Sequence, residues 1–293
     1  MTGVYIYNKV IRWVKGLLPL CLFILLPITT MAGVTYQRTD SLKVCRVLRQ
    51  ADKQASTLWI ARHFLGVPYV ASTLEVNDME QLVVNTRELD CTTFVETVTA
   101  LKLCIEQNKR TWEDYLSVLC SLRYRQGKLD GYPSRLHYFT DWIQDKVRMQ
   151  LVNDIQQPNP PFSAVQTVSV SYMSAHPDAY KALKANPQLL PQIRQQEQAL
   201  TGLKVRYIPK TAVRNTQLLR NTIHDGDIIA ITCNKKGLDI AHLGFAVWRK
   251  NGLHLLNASS LHKKVVEEPM TLYQYLQKHP SFTGIRIVRI KRK

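Results

Sequence analysis

Residues 89–107 read LDCTTFVETVTALKLCIEQ, and the reading of this stretch decides the fold. Phe94, Val95, Val98, Leu101 and Ile105 recur at helical spacing and form one apolar stripe, so Cys91–Gln107 is the clearest helix in the chain. Asp90 suits the N-cap, which places Cys91 in the first turn. Free backbone N–H groups and the positive end of the helix dipole favour a thiolate there. With a cation nearby, such a site lowers a thiol pKa from about 8.5 to roughly 3.5–7.5. The same N–H groups can hold an oxyanion. One helix start thus supplies a candidate nucleophile and part of its electrostatic support.

On the N-terminal side, Val44, Val47, Leu48, Leu58, Ile60, Ala61 and Phe64 predict one or two helices between Asp40 and Leu65, ending at Gly66. Asp78–Val84 reads as a short helix, and Thr111–Tyr124 and His137–Leu151 as longer ones. The segment QQPNPPF at 156–162 is a proline-rich connection. Beyond it the period changes. Val168, Val170 and Tyr172 alternate with polar residues, as do Leu203, Val205 and Tyr207. DIIAITC (227–233), HLGFAVW (242–248), LHLLNA (253–258) and IRIVRI (285–290) read as strands, with helical segments at 175–200 and 269–278. Helices first and a mainly antiparallel sheet later predict an α+β fold in a single domain, residues 33–293.

The composition is that of a globular chain: 293 residues, 45% hydrophobic, without a repeat or a low-complexity block. Its formal net charge of +17 calls for anionic partners but does not choose among nucleic acid, membrane and anionic glycan. The N-terminus narrows the choice. Lys9, Arg12 and Lys15 precede the uncharged apolar run Gly16–Ile28, and Thr30-Met31-Ala32 offers small residues at an exit. That order predicts a signal peptide over residues 1–32. The run is short against the roughly twenty residues of a membrane span, so no stable membrane insertion is expected after cleavage. The expected location is the periplasm, with secretion or tethering by an uncleaved signal as alternatives. Export argues against nucleic acid as a partner. Cys45, Cys91, Cys104, Cys120 and Cys233 remain after cleavage, an odd set that leaves at least one thiol unpaired within the chain. No Cys/His cluster has zinc spacing, and neither metal nor organic cofactor is expected.

A thiol nucleophile needs a base, itself oriented by a third polar group. His63, His176, His224, His254, His262 and His279 lie in helical or loop contexts that suit exposed side chains. His242 instead opens a strand, on the face shared by Gly244 and Ala246. With a turn at Arg249–Gly252 and Trp248 paired with Leu253, Asn257 falls opposite Gly244 and diagonally beside His242; a two-residue Asn251-Gly252 turn would keep both on the same face but farther apart. Gly244 then leaves the space between imidazole and carboxamide empty. Cys91, His242 and Asn257 form a candidate Cys–His–Asn relay.

This order of residues resembles the papain-like cysteine hydrolases. Asp90-Cys91, Gly226-Asp227 and His242-Leu243-Gly244 are similar to motifs of the NlpC-type cell-wall hydrolases. Gly66-Val67-Pro68-Tyr69 resembles that family's leading segment, whose tyrosine lies near the nucleophile. LDCTTFVET (89–97), SRLHYFTDWI (134–143), AHLGFAV (241–247) and NASS (257–260) resemble a narrower group, the N-acetylmuramoyl-L-alanine amidase-like proteins, long described as a domain of unknown function. Relatives usually carry histidine where this chain has Asn257. The resemblance implies a papain-like, NlpC-type fold, with the nucleophile helix packed on an antiparallel sheet and extra N-terminal helices. It also implies an exported cysteine amidase that cuts the bond between the muramoyl lactyl group and L-alanine in peptidoglycan or muropeptides. Tyr69 would assist the helix start in holding the oxyanion. Arg135, His137, Tyr138 and Trp142 would border the substrate, Arg135 by holding a carboxylate bidentately. The alternatives are an endopeptidase cutting between D-glutamate and the diamino acid, a non-catalytic peptidoglycan-binding module, and a lipid acyltransferase of the same superfamily. Oligomeric state is left open.

Overall fold

Asp90 ends an extended segment and starts the central helix in the computed structural model, which describes residues 33–292. The signal-peptide reading of residues 1–32 lies outside the described residues. A short strand β1 (Val34–Thr35) pairs in parallel with β2 (Leu82–Val83). Around them lie the helices α1 (Arg38–Gln50), α2 (Thr57–Arg62), α3 (Cys91–Glu106), α4 (Trp112–Arg123) and α5 (Phe139–Arg148). Next come β3 (Val152–Ile155), β4 (Ala164–Thr167), the helices α6 (Tyr172–Ala175), α7 (Lys181–Ala185) and α8 (Leu190–Leu200), then β5 (Lys204–Pro209) and α9 (Gln217–Thr222). The chain closes with β6 (Ile228–Cys233), β7 (Ile240–Arg249), β8 (Gly252–Ser259), β9 (Lys264–Glu267), α10 (Leu272–Gln277) and β10 (Phe282–Ile290).

The main sheet runs β4-β5-β10-β6-β7-β8-β9, with β3 also on β10, and its pairings are antiparallel. The fold is therefore α+β with an antiparallel sheet, as the change of period predicts. Strand β6 is buried at all six positions because both faces of the sheet are covered. Ile228 and Ala230 join the core under α1–α5, while Ile229 and Ile231 join a second core with Leu219, Leu272 and Leu276. No helix among the described residues is long and apolar enough to cross a membrane.

Three local expectations fail, each for a visible reason. Asp78–Val84 is not helical, since Leu82 and Val83 pair with Val34 and Thr35 instead. The alternation at Val168, Val170 and Tyr172 is not a strand: β4 stops at Thr167 and Tyr172 opens α6. Residues 175–200 form several short helical pieces because Pro177, Pro187 and Pro191 each restart the chain at a helical N-terminus.

Candidate active site

The thiol is placed by a capping box. The Asp90 carboxylate accepts from the Thr93 amide at 2.7 Å, and Thr93 Oγ1 accepts from the Asp90 amide at 2.9 Å, fixing the first turn at Cys91. Below it, Phe94 packs edge-on to Phe245 of β7, with ring centroids 5.6 Å apart. A pair of this kind contributes about 0.5–1.5 kcal/mol beyond its buried area and holds the helix to the strand that carries His242. At the start of β7 the register slips: Ile231 faces His242, but Thr232 faces Ile240. Ala241 is thus the extra residue of a bulge, a device that re-aims the neighbouring side chain.

Trp248 pairs with Leu253, as the sequence predicts, and Arg249 also pairs with Gly252, which leaves Lys250 and Asn251 as the turn. The Phe245–Leu256 pair beside them puts Gly244 opposite Asn257. His242 Nε2 lies 2.9 Å from Asn257 Oδ1. The role expected for Gly244 needs correction. Its missing Cβ leaves no void, since a Cβ there would meet the Leu255 side chain and the Leu256 carbonyl oxygen at 2.8 Å. The glycine permits close packing of β8.

Cys91 and His242 line one cleft together with Thr92, Leu243 and Asp239, and His137, Tyr138 and Trp142 form part of its wall. The thiol is not lowered as the helix position alone implies. Burial pushes Cys91 up to about 12 and the adjoining Asp90 carboxylate adds to the rise, outweighing hydrogen bonds from the Leu243 amide, Thr92 and its own amide. Burial also lowers His242, against the Asn257 hydrogen bond and the Glu268 charge. Both shifts favour the uncharged forms, the thiol at Cys91 and the imidazole at His242. Tyr69 reaches the site from the side: its amide donates to the Lys263 carbonyl, and its backbone bridges to Leu89, two residues before the cysteine. Burial raises its phenol, with Cys91 and Asp90 adding, so it stays protonated and able to donate.

The four residues from SRLHYFTDWI separate. Arg135 is buried, bound to Glu75 and also near Glu80, and lies over the Tyr132 ring; the structure does not bring it to the cleft wall. Tyr138 spends its hydroxyl on Glu197 at 2.6 Å and on the Met173 amide at 3.0 Å. His137 Nε2 faces the Tyr132 carbonyl at 3.0 Å, an acceptor only, so Nε2 carries the proton and Nδ1 keeps a lone pair. Burial, with Arg135 assisting, lowers this ring to about 3. Trp142 is 1% exposed, and its indole N–H has no partner among the described residues.

Several features of the site escaped the sequence. Asp239 is 2% exposed, lines the cleft, and its Oδ2 has no hydrogen-bond partner among the described residues. Asn257 Nδ2 donates to Glu268 Oε1 at 3.2 Å, and Glu268 Oε2 lies 3.1 Å from His262 Nε2. His254, expected at the surface, is fully buried between the Glu268 carbonyl and Asn251. Gly226-Asp227 holds the frame: Asp227 pairs bidentately with Arg289, and Gly226, at φ 82°, sits where a Cβ would strike Thr57. The described cysteines, Cys45, Cys91, Cys104, Cys120 and Cys233, are all free thiols.

The profile of the N-acetylmuramoyl-L-alanine amidase-like (AmiA-like) family matches residues 59–285, which span every element of this site. The chain belongs to that family. Among solved structures, this family member is similar to an N-acetylmuramoyl-L-alanine amidase from Bacteroides uniformis, at 41% identity and a TM-score of 0.76, over 82% of this chain and 100% of that one. It is also similar to a Bacteroides fragilis protein whose name proposes a xylanase, at 44% identity and a TM-score of 0.73, over 79% of this chain and 99% of that one. A Legionella pneumophila protein at 24% identity, with a TM-score of 0.64 over 86% of this chain and 94% of that one, shares the fold. Comparison with curated proteins gives no match.

Proposed function

We propose that the chain is an exported cysteine amidase, active in the periplasm, that hydrolyses the N-acetylmuramoyl–L-alanine bond of peptidoglycan or its muropeptides. We place it among the papain-like, NlpC-type hydrolases. The observation that carries the reading is the meeting of a capped helix-start thiol and a His242–Asn257 hydrogen-bonded pair at one cleft. The Bacteroides uniformis amidase, covered along its whole length, supports the choice of bond. A xylanase normally needs paired carboxylates flanking the glycosidic bond, and Asp239 is the one acidic residue among the described residues lining this cleft.

The chemistry follows from the protonation states. With Asn257 Oδ1 facing Nε2, the proton sits on Nε2 and Nδ1 is the free base. As the thiol attacks the lactyl carbonyl carbon, its proton passes to Nδ1, so the sulfur becomes anionic only as the C–S bond forms. The helix-start amides and the protonated Tyr69 phenol stabilise the oxyanion. The imidazolium then protonates the nitrogen of L-alanine and the C–N bond breaks, leaving a thioester. Water, deprotonated by Nδ1, releases the muramoyl acid. Asp239, His137 and Trp142 line the cleft and supply the polar side chains that an amino sugar's hydroxyl and acetamido groups require.

The test is incubation with defined muropeptides and weighing of the products, beside Cys91→Ala. A free peptide beginning with L-alanine, absent with the variant, supports the amidase. A fragment that keeps L-Ala-D-Glu on the sugar makes the chain an endopeptidase. No turnover by folded protein makes it a binding module.

A further inference from the structure

The Asn257 carboxamide is nearly symmetric in shape, and either orientation fits the space, but only one serves catalysis. If the amide nitrogen faced His242, it would donate to Nε2 and push the ring proton onto Nδ1, the position that must accept from the thiol. Steric packing cannot choose between the two. A hydrogen-bonding partner can.

That partner is Glu268. It is 1% exposed, and its Oε1 lies 3.2 Å from Asn257 Nδ2. The Leu255 carbonyl is the next acceptor, at 3.5 Å. Carboxylate and carbonyl accept only, so a flipped amide would set oxygen against oxygen in a buried site. The carboxylate is itself held. The Glu268 amide donates to the Leu255 carbonyl at 2.8 Å, extending the β8–β9 ladder, and His254 Nδ1 caps the Glu268 carbonyl at 2.9 Å. Its second oxygen meets His262 Nε2 at 3.1 Å.

We infer that Glu268 is a fourth, positioning member of the relay, fixing the Asn257 amide with its oxygen toward His242 and thereby leaving the lone pair on Nδ1. The order is His242, Asn257, Glu268, His262, from the cleft toward a partly exposed imidazole. The same negative charge supports the imidazolium that forms during each transfer. A carboxylate that only capped the strand would leave the tautomer of His242 indifferent to its charge.

The inference rests on the Cys91–His242 reading, and its test needs no substrate. Ring-nitrogen NMR shifts of His242 are measured in the wild type and in Glu268→Gln at neutral pH. The wild type should show a protonated Nε2 and a bare Nδ1, and Glu268→Gln a mixture of tautomers, since its amide can bond either end of Asn257. On a muropeptide, kcat should fall about tenfold or more with KM little changed, and Glu268→Asp should restore part of it. A wild-type ring protonated on Nδ1 overturns the inference whether or not any variant folds. So does a folded Glu268→Gln with wild-type shifts. Absence of turnover by wild type would count against the amidase and leave the ring-nitrogen result standing.

Discussion

At Cys91 two influences compete: the helix start draws negative charge in, while burial and the Asp90 carboxylate oppose it, and the opposition wins. The consequence is measurable. Alkylation of Cys91 by iodoacetamide should rise about tenfold per pH unit from pH 6 to pH 9, following the thiolate fraction. A plateau below pH 6 would mean a preformed thiolate–imidazolium pair and would contradict this protonation scheme. Asp90→Asn keeps an N-cap acceptor and removes the charge, so alkylation at pH 8 should become faster while the melting temperature holds. Asp239 has a different signature. Asp239 lines the cleft and is its one acidic residue among the described residues, so Asp239→Ala should raise KM about tenfold; an unchanged KM would remove it from the substrate wall.

Strand β7 and its neighbours set the geometry at the next scale. Gly244→Ala would drive a methyl into Leu255 and the Leu256 carbonyl, and about 1–3 kcal/mol of destabilisation is expected in urea unfolding. An effect near zero would mean that β8 can shift, and with it Asn257. Much of this layer was legible in the chain. The stripe from Phe94 to Ile105 and the cap at Asp90 mark α3 to within a residue, and the Arg249–Gly252 turn places Asn257 opposite Gly244. The bulge at Ala241 was not legible, because an extra residue leaves no compositional trace when its neighbours are small and apolar. Glu268 was hidden for a related reason. The segment KKVVEE is short and charged, so nothing in its pattern announces the β8–β9 hairpin that turns Glu268 toward Asn257. Arg135 looked free in sequence because Glu75 and Glu80, its partners, lie in a loop some sixty residues upstream.

Over the whole molecule, buried neutral imidazoles couple stability to acidity. His137 is lowered from an ordinary 6.5 to about 3, and His242 is lowered as well, so below 6.5 the unfolded chain takes up protons that the folded chain refuses. Their contribution is fully present above that value and is lost progressively as pH falls toward 3. The melting temperature should therefore drop from pH 7 to pH 4 less steeply in His137→Gln than in the wild type; parallel curves would contradict the assignment. The same site decides the function. The most direct measurement mixes the protein with a disaccharide-peptide, quenches with acid in the first turnover and weighs the peptide containing Cys91. The expected result is a gain equal to the disaccharide with its lactyl acyl group, alongside free peptide beginning with L-alanine. An adduct that carries stem-peptide residues, or continued release by Cys91→Ala, would contradict the account.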